Sequence, residues 1–396
     1  MNDRLSRNIP LFYVLRAMTL PYFWLPLLYF YLTTVKGFSV SQTTILLGLQ
    51  EFLLIFLEVP TGVVADKISR KFSVGVGIAI TSLPLALLPL VNSYPWALLI
   101  FATRAIGKSL VSGADSSLLY DTLQDLGRTE EFKKIKTQSA ALVMGVATLC
   151  MFIGGWMGQM GWYDLALVLP FPLQLLAALA VSQMIEPATS KKAQQLQESN
   201  YARHVAQAIK VVLRTNGLIY LAIAFAVLEG TAVNMKWYYP AIFESLKYGL
   251  LLSGTIMSGL YGAKTIINAV GAKLIRPNAM QNMIFWTLVI SGSWIISTIM
   301  VSVVVIPALV LILLALELAT NSSEELIHDQ LETSVRATAM SFVNLLSSVA
   351  ATILLWSWGV TIQHGSTENS MILQGLLFVS VVGMILLTRG GTVSKK

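Results

Sequence analysis

The chain is 396 residues long, 55% hydrophobic and only 12% charged, with a mean hydropathy of +0.70. A soluble domain carries about 25% charged residues, so this composition excludes a soluble globular protein and indicates a polytopic membrane protein. The formal net charge of +7 is scattered over short loops without a single basic patch, which argues against nucleic acid as a partner, and the lone Cys150 has no mate for an internal disulfide.

Runs of about 20 apolar residues, enough to cross a bilayer, recur along the whole chain. They predict twelve spans, near 11–33, 43–65, 72–91, 96–118, 139–158, 163–183, 217–240, 250–272, 282–302, 304–322, 337–360 and 370–388. Helices are the spanning element that fits, because backbone groups in lipid need partners inside their own segment. Barrel strands would alternate polar and apolar residues over about 10 positions, and these runs do not. The first run lacks a small-residue cleavage site and reads as a retained span. Between spans two and three lies Gly62-Val63-Val64-Ala65-Asp66-Lys67-Ile68-Ser69-Arg70-Lys71. Its excess of basic residues marks the cytoplasmic face. Placing the N-terminus on that face puts most of the 27 Lys and Arg residues inside and leaves only Lys36, Lys236 and Lys247 outside. Such an asymmetry fits an even number of spans with both termini cytoplasmic.

The stretch 184–216 is the longest polar segment, and 186–216 within it reads as a cytoplasmic linker. Glu186-Pro187 closes span six, and Lys191 to Asn200 reads as a solvated linker. Val205, Ala208, Ile209 and Val212 follow at helical spacing among Arg203, Gln207, Lys210 and Arg214. They predict a short amphipathic helix on the inner surface. This linker divides the chain into an N-terminal bundle over 1–185 and a C-terminal bundle over 217–396. The ends of spans four and ten are alike: Leu118-Leu119-Tyr120-Asp121-Thr122-Leu123 against Leu326-Ile327-His328-Asp329-Gln330-Leu331. A duplicated six-helix unit leaves a repeat at this spacing.

Gly62, Asp66, Lys67, Arg70 and Lys71 match the loop pattern Gly-x-x-x-Asp-(Arg/Lys)-x-Gly-(Arg/Lys)-(Arg/Lys), with Ser69 in place of the second glycine. With Glu58-Val59-Pro60-Thr61 before it, and Ser112-Gly113-Ala114-Asp115 and Tyr120-Asp121 later, the chain resembles bacterial drug or small-molecule exporters of the major facilitator superfamily. Arg104 and Gly107 are similar to that family's fourth-span pattern. Gly145, Gly154 and Gly158 follow part of its antiporter glycine pattern, with Gln159 where proline is expected. The loop of the second half keeps Lys273 and Arg276 but no acid. The resemblance implies an all-α membrane protein of twelve transmembrane helices in two pseudo-symmetric six-helix bundles. It also implies a conformational latch made of Gly62, Asp66, Lys67, Arg70, Lys71 and Asp121. In that latch Gly62 lets helices approach, and Asp66 accepts from Arg70 or caps a helix.

Charged side chains inside the membrane are costly, usually pair or face a cavity, and mark transport pathways. At about 100° per residue, Arg104, Lys108 and Asp115 of span four share one stripe, which should face the pore between the halves. The candidate proton- or substrate-binding residues are Glu58, Arg104, Lys108, Asp115 and Glu229. A buried structural network is the alternative for span four, and bracing of Thr61 is the alternative for Glu58. Glu51, Lys264 and Glu317 read as ties between helices, and Arg16 as a snorkelling cation. Phe23 and Trp24 could line an apolar cavity, and Pro21 and Pro26 could kink span one.

Deep acids outnumber deep bases in this set, which points to protons and cations. The first expectation is therefore proton-coupled export of small hydrophobic or cationic compounds across the bacterial cytoplasmic membrane. The second is a proton-coupled importer or facilitator of a polar or anionic metabolite. The third, from another class, is a non-transporting membrane receptor. No nucleophile–base or metal motif points to an enzyme, no cofactor is indicated, and no Gly-x-x-x-x-Gly-Lys-(Ser/Thr) loop points to direct ATP drive. The expected partners are a small-molecule substrate, protons and the lipid bilayer, and the expected state is a monomer.

Overall fold

The computed structural model describes residues 2–188, 210, 212–213, 215, 217–270, 278–299, 304–331 and 333–392; within its helices some side chains, Asp66 among them, lie outside the description. The predicted amphipathic helix over Ala202–Leu213 and the basic loop with Lys273 and Arg276 fall largely or wholly outside the described residues.

Among the described residues, eleven helical segments are long and apolar enough to cross a membrane. The segment expected as span eight is a further helix of 21 residues, Leu250–Val270. The helices fall into two compact units. One comprises Met1–Phe38, Phe52–Ser199 and Gly249–Gly262, and the other Ser39–Glu51, Asn200–Tyr248 and Ala263–Lys396. Large apolar side chains such as Phe56, Leu90, Leu149, Ile353 and Leu387 are exposed. Acyl chains suit such surfaces and water does not.

In the first unit, α1 (Asn2–Ser6) and α2 (Asn8–Thr19) lead into span one, which is not a single helix. The chain breaks at Leu20-Pro21, makes a short 3-10 turn over Tyr22–Trp24, and resumes as α3 (Leu25–Phe30). Of the two prolines, only Pro21 interrupts. Pro26 sits in the first turn of α3, where a missing N–H costs nothing. α4 (Val40–Lys67) and α5 (Arg70–Leu87) flank the basic turn. α5 packs on α6 (Tyr94–Val111) through two glycines: a Cβ on Gly77 would lie 2.8 Å from the Gly107 carbonyl oxygen. Gly62, expected to provide such an approach, has nothing within 4 Å of the position a Cβ would take. The glycine of the loop pattern therefore brings no helices together in this structure.

Span four is also interrupted. α6 ends at Val111, Gly113 takes a positive φ of 77°, and α7 (Ala114–Asp125) begins anew. Few residues but glycine adopt that backbone without strain. The unbroken stripe of Arg104, Lys108 and Asp115 does not survive this break, because Asp115 belongs to a different helix. α8 (Phe132–Gln159), α9 (Tyr163–Val168) and α10 (Pro170–Gln183) complete the unit. Phe12, Leu15, Val74, Leu119, Leu123 and Val181 are buried in one apolar core that draws on α2, α5, α7 and α10.

In the second unit α11 (Leu218–Ser245) packs on α14 (Val305–Asp329), α15 (Thr333–His364) and α16 (Thr367–Thr392). α13 (Ala279–Ile299) lies against α14 and α16, and Leu250–Val270 is α12. Tyr238 stacks on Trp358 at 4.3 Å between ring centroids, with Trp294 5.7 Å from Trp358. Lys236, counted with the outer basic residues although it falls near the end of the predicted span 217–240, lies within α11.

Candidate functional site

The start of α5 is where the basic turn becomes a defined structure. Ser69 is extended, at φ −177° and ψ 135°, and its hydroxyl oxygen accepts from the Phe72 N–H. This is an N-cap, which satisfies one of the open donors of the first turn. It gives a physical reason for serine where the family pattern has glycine. The same hydroxyl donates to Glu186 Oε2 at 2.7 Å, and the backbone N–H groups of Arg70 and Lys71 donate to Glu186 at 3.0 Å each. A carboxylate is favoured at a helix N-terminus by both the open N–H groups and the dipole. The Arg70 guanidinium meanwhile donates to Asp121 and, at 3.4 Å, to the Ser117 carbonyl. The turn is thus joined to α7 and to the residues just past α10.

Asn8 extends the same set. Its amide donates to Thr122 Oγ1 at 3.1 Å and to the Ile185 carbonyl at 2.8 Å, and it accepts from the Ile185 N–H at 2.9 Å. Of the expected latch, Arg70, Lys71 and Asp121 come together here. Gly62 and Lys67 are exposed, and the Asp66 side chain lies outside the description. Glu186 was missed because it stands more than a hundred residues from its partners. The only local signal was an acid just past the end of an apolar run.

The charges at membrane depth sort into pairs. Arg16 donates to Asp115 at 2.8 Å, so it is an ion-pair partner rather than a snorkelling cation. Asp115 also accepts from the Ser116 N–H at 2.6 Å. Glu51 lies 3.7 Å from Lys236, and Lys264 lies 3.1 Å from Glu317. These two pairs are the ties between helices expected for Glu51, Lys264 and Glu317. A mid-span charge costs about 2.5–3.5 kcal/mol on insertion scales, and a partner offsets much of that cost.

Arg104 and Glu229 stand apart from these pairs. Arg104 is buried. It donates to the Thr81 carbonyl at 2.8 Å, and its guanidinium carbon lies 5.0 Å from the centroid of the Trp24 ring. Among the described residues no carboxylate pairs with it. Trp24 is therefore a cation–π partner and not only an apolar wall. Glu229, half-buried on α11, pairs with no base among the described residues; the charges acting on it are Lys264, Glu317 and Glu324. Glu58 is exposed and Lys108 half-buried. Thr61, one turn beyond Glu58, is held through its hydroxyl to Leu57 O at 2.7 Å and Ser109 Oγ at 2.7 Å. No group of three or more His, Cys, Asp or Glu residues that could hold a metal occurs among the described residues.

Solved structures share this fold. A mutant of the nucleoside transporter NupG superposes with a TM-score of 0.78 over 98% of this chain and 100% of its own, at 14% identity. The fold is the major facilitator fold. A POT family transporter in complex with 5-aminolevulinic acid matches with a TM-score of 0.68 at 13% identity, over 98% of this chain and 96% of its own. A bacterial homolog of the human lysosomal transporter Spinster, inward-facing and unoccupied, matches at 0.69 and 13% identity, over 98% and 97%. No protein-family model matches the sequence, and no curated protein matches it.

Proposed function

We propose that the chain is a secondary active transporter of twelve membrane-spanning helices in two six-helix halves, 1–185 and 217–396, joined by a cytoplasmic linker over 186–216. It couples the movement of a small polar metabolite carrying an anionic group to that of protons, by alternating access, in a cell membrane with both termini cytoplasmic. The observation that carries the substrate class is Arg104: a buried guanidinium with a carbonyl and an indole face beside it and no paired carboxylate among the described residues. Its planar fork matches carboxylate and phosphate oxygens, so the missing counter-charge is supplied by the ligand. Glu229 is the reciprocal case, a membrane-depth carboxyl without a paired base among the described residues, and is the group that carries the proton. The surplus of acids that favours cations in the sequence disappears once pairs are counted, since Asp115, Glu51 and Glu317 are engaged by Arg16, Lys236 and Lys264. A neighbour of this fold holds 5-aminolevulinic acid, which carries a carboxylate. Export of cationic or hydrophobic compounds is the second reading, favoured by the Gly62–Lys71 loop pattern. In both readings Arg70, Lys71, Asp121 and Glu186 form the latch, and Glu58, Lys108 and Asp115 are further pathway residues.

The test is uptake into proteoliposomes under an imposed pH gradient, with a panel of small carboxylates and phosphates beside a panel of cationic dyes. Anionic substrates should accumulate, Arg104→Gln should abolish that uptake, and Glu229→Gln should keep exchange while losing the response to pH. Proton-coupled movement of the dyes that Arg104→Gln leaves intact would sink the anionic reading in favour of export.

A further inference from the structure

A second feature of the first unit, independent of transport, concerns the first two arginines of the chain. A cleft of ≈ 620 Å³ opens between the start of the chain and the end of α10; its walls include Arg4, Arg7, Leu11, Val14, Gln183 and Ile185. The residues follow an order along the helix. Arg7, Leu11 and Val14 are four and three apart and so lie on one face. At 1.5 Å per residue, Val14 stands roughly 10 Å further along the axis than Arg7. One wall of the cleft therefore passes from two guanidinium groups to exposed apolar side chains within the depth that separates a lipid headgroup from its acyl chains. Val14 is 44% exposed and Ile185, on the facing wall, 40%.

Of the other arginines in this unit, Arg104 lies buried against the Thr81 carbonyl and the Trp24 ring, and the remaining three are committed to acids. Arg70 is paired with Asp121, Arg16 with Asp115 and Arg128 with Glu131. Arg4 and Arg7 pair with no carboxylate among the described residues. The acid nearest in the chain order of the facing wall, Glu186, is already bonded to Ser69, Arg70 and Lys71. Two cations with no paired carboxylate among the described residues, above an apolar wall, fit an amphiphile with a net negative head. A zwitterionic head would leave net positive charge in the cleft, and a free anion would leave Leu11, Val14 and Ile185 uncovered. We infer that this cleft binds a glycerophospholipid with an anionic headgroup, its phosphate between Arg4 and Arg7 and an acyl chain along Leu11 and Val14. Basic pockets between spanning helices are known to recognise lipid headgroups in this way.

The experiment uses the full chain purified in detergent and stripped of lipid, with binding read by native mass spectrometry and by thermal melting. Phosphatidylglycerol should give retained adducts and a higher melting temperature; phosphatidylcholine and inorganic phosphate should give neither. The double variant Arg4→Gln/Arg7→Gln should melt like the parent without lipid, since both side chains are exposed, and should lose the adducts and the shift. A control of equal charge loss at an exposed site, Lys133→Gln/Lys134→Gln, should keep both. An equal response to phosphatidylcholine, a response that persists in the arginine variant, or its equal loss in the lysine control would overturn the site. A shift with inorganic phosphate alone would overturn the lipid assignment and leave a simple anion site.

Discussion

At the residue scale, the carboxylate of Glu186 meets three donors at once, the Ser69 hydroxyl and the N–H groups of Arg70 and Lys71. Hydrogen bonds to a charged group contribute about 1.5–3 kcal/mol each to stability, and here they also close a helix end. Glu186→Gln keeps the shape but gives up the charge, so the variant should lose about 1–3 kcal/mol, read as a lower melting temperature in detergent. Ser69→Ala removes the cap as well as one donor and should lose about 0.5–2 kcal/mol by the same measurement. Unchanged melting in both would show that the junction contributes nothing. Much of this chemistry was hidden in the sequence. Arg16 and Asp115 each stand out as charges in apolar runs, yet their pairing spans 99 residues and depends on a backbone break that apolar patterning does not reveal. Arg104 was legible as a deep cation; that it keeps no paired carboxylate among the described residues, while Asp115 is engaged elsewhere, was not.

At the element scale, α5 and α6 meet where each contributes a glycine. A Cβ on Gly107 would lie 2.6 Å from the Thr81 backbone nitrogen and 2.7 Å from the Gly77 carbonyl oxygen. Backbone cannot yield as a side chain does, so Gly77→Leu should cost about 1–3 kcal/mol or more through overpacking and should lower both yield and melting temperature. Gly62→Ala is the contrasting case. With open space around it, alanine's higher helix propensity should leave stability unchanged or raise it by up to about 1 kcal/mol. A loss on Gly62→Ala equal to that on Gly77→Leu would contradict this reading of the two helices. Span positions were legible because membrane helices need long apolar runs. Interruptions inside spans were less so: Pro21 breaks span one while Pro26 does not, and only the register of each proline within its turn decides which. Gly113 did carry a signal, since a Ser-Gly step ahead of an acid is where one helix can stop and another start.

For the molecule as a whole, the uneven distribution of basic residues predicts that both ends of the chain lie on one side of the membrane. Cys150 is the sole cysteine and is buried, so Asn2→Cys and Ser394→Cys can be labelled against a quiet background. Both should resist an impermeant maleimide in intact cells and react in opened ones; labelling of either in intact cells would reverse the topology. The major facilitator fold was legible in the loop pattern and the run of spans. The assignment of helix segments to the two compact units was not, because α4 and α12 each contribute to both, and hydropathy carries no record of which neighbour a helix will touch. The junction at Glu186 has one more consequence, for biosynthesis. The donors of Ser69, Arg70 and Lys71 leave the ribosome more than a hundred residues before their acceptor. The amino end of α5 must therefore wait, half-finished, until the sixth span has been threaded into the bilayer. A nascent chain halted just short of Glu186 would hold all its early spans without the carboxylate that closes them, and one halted just beyond it would be complete at that end.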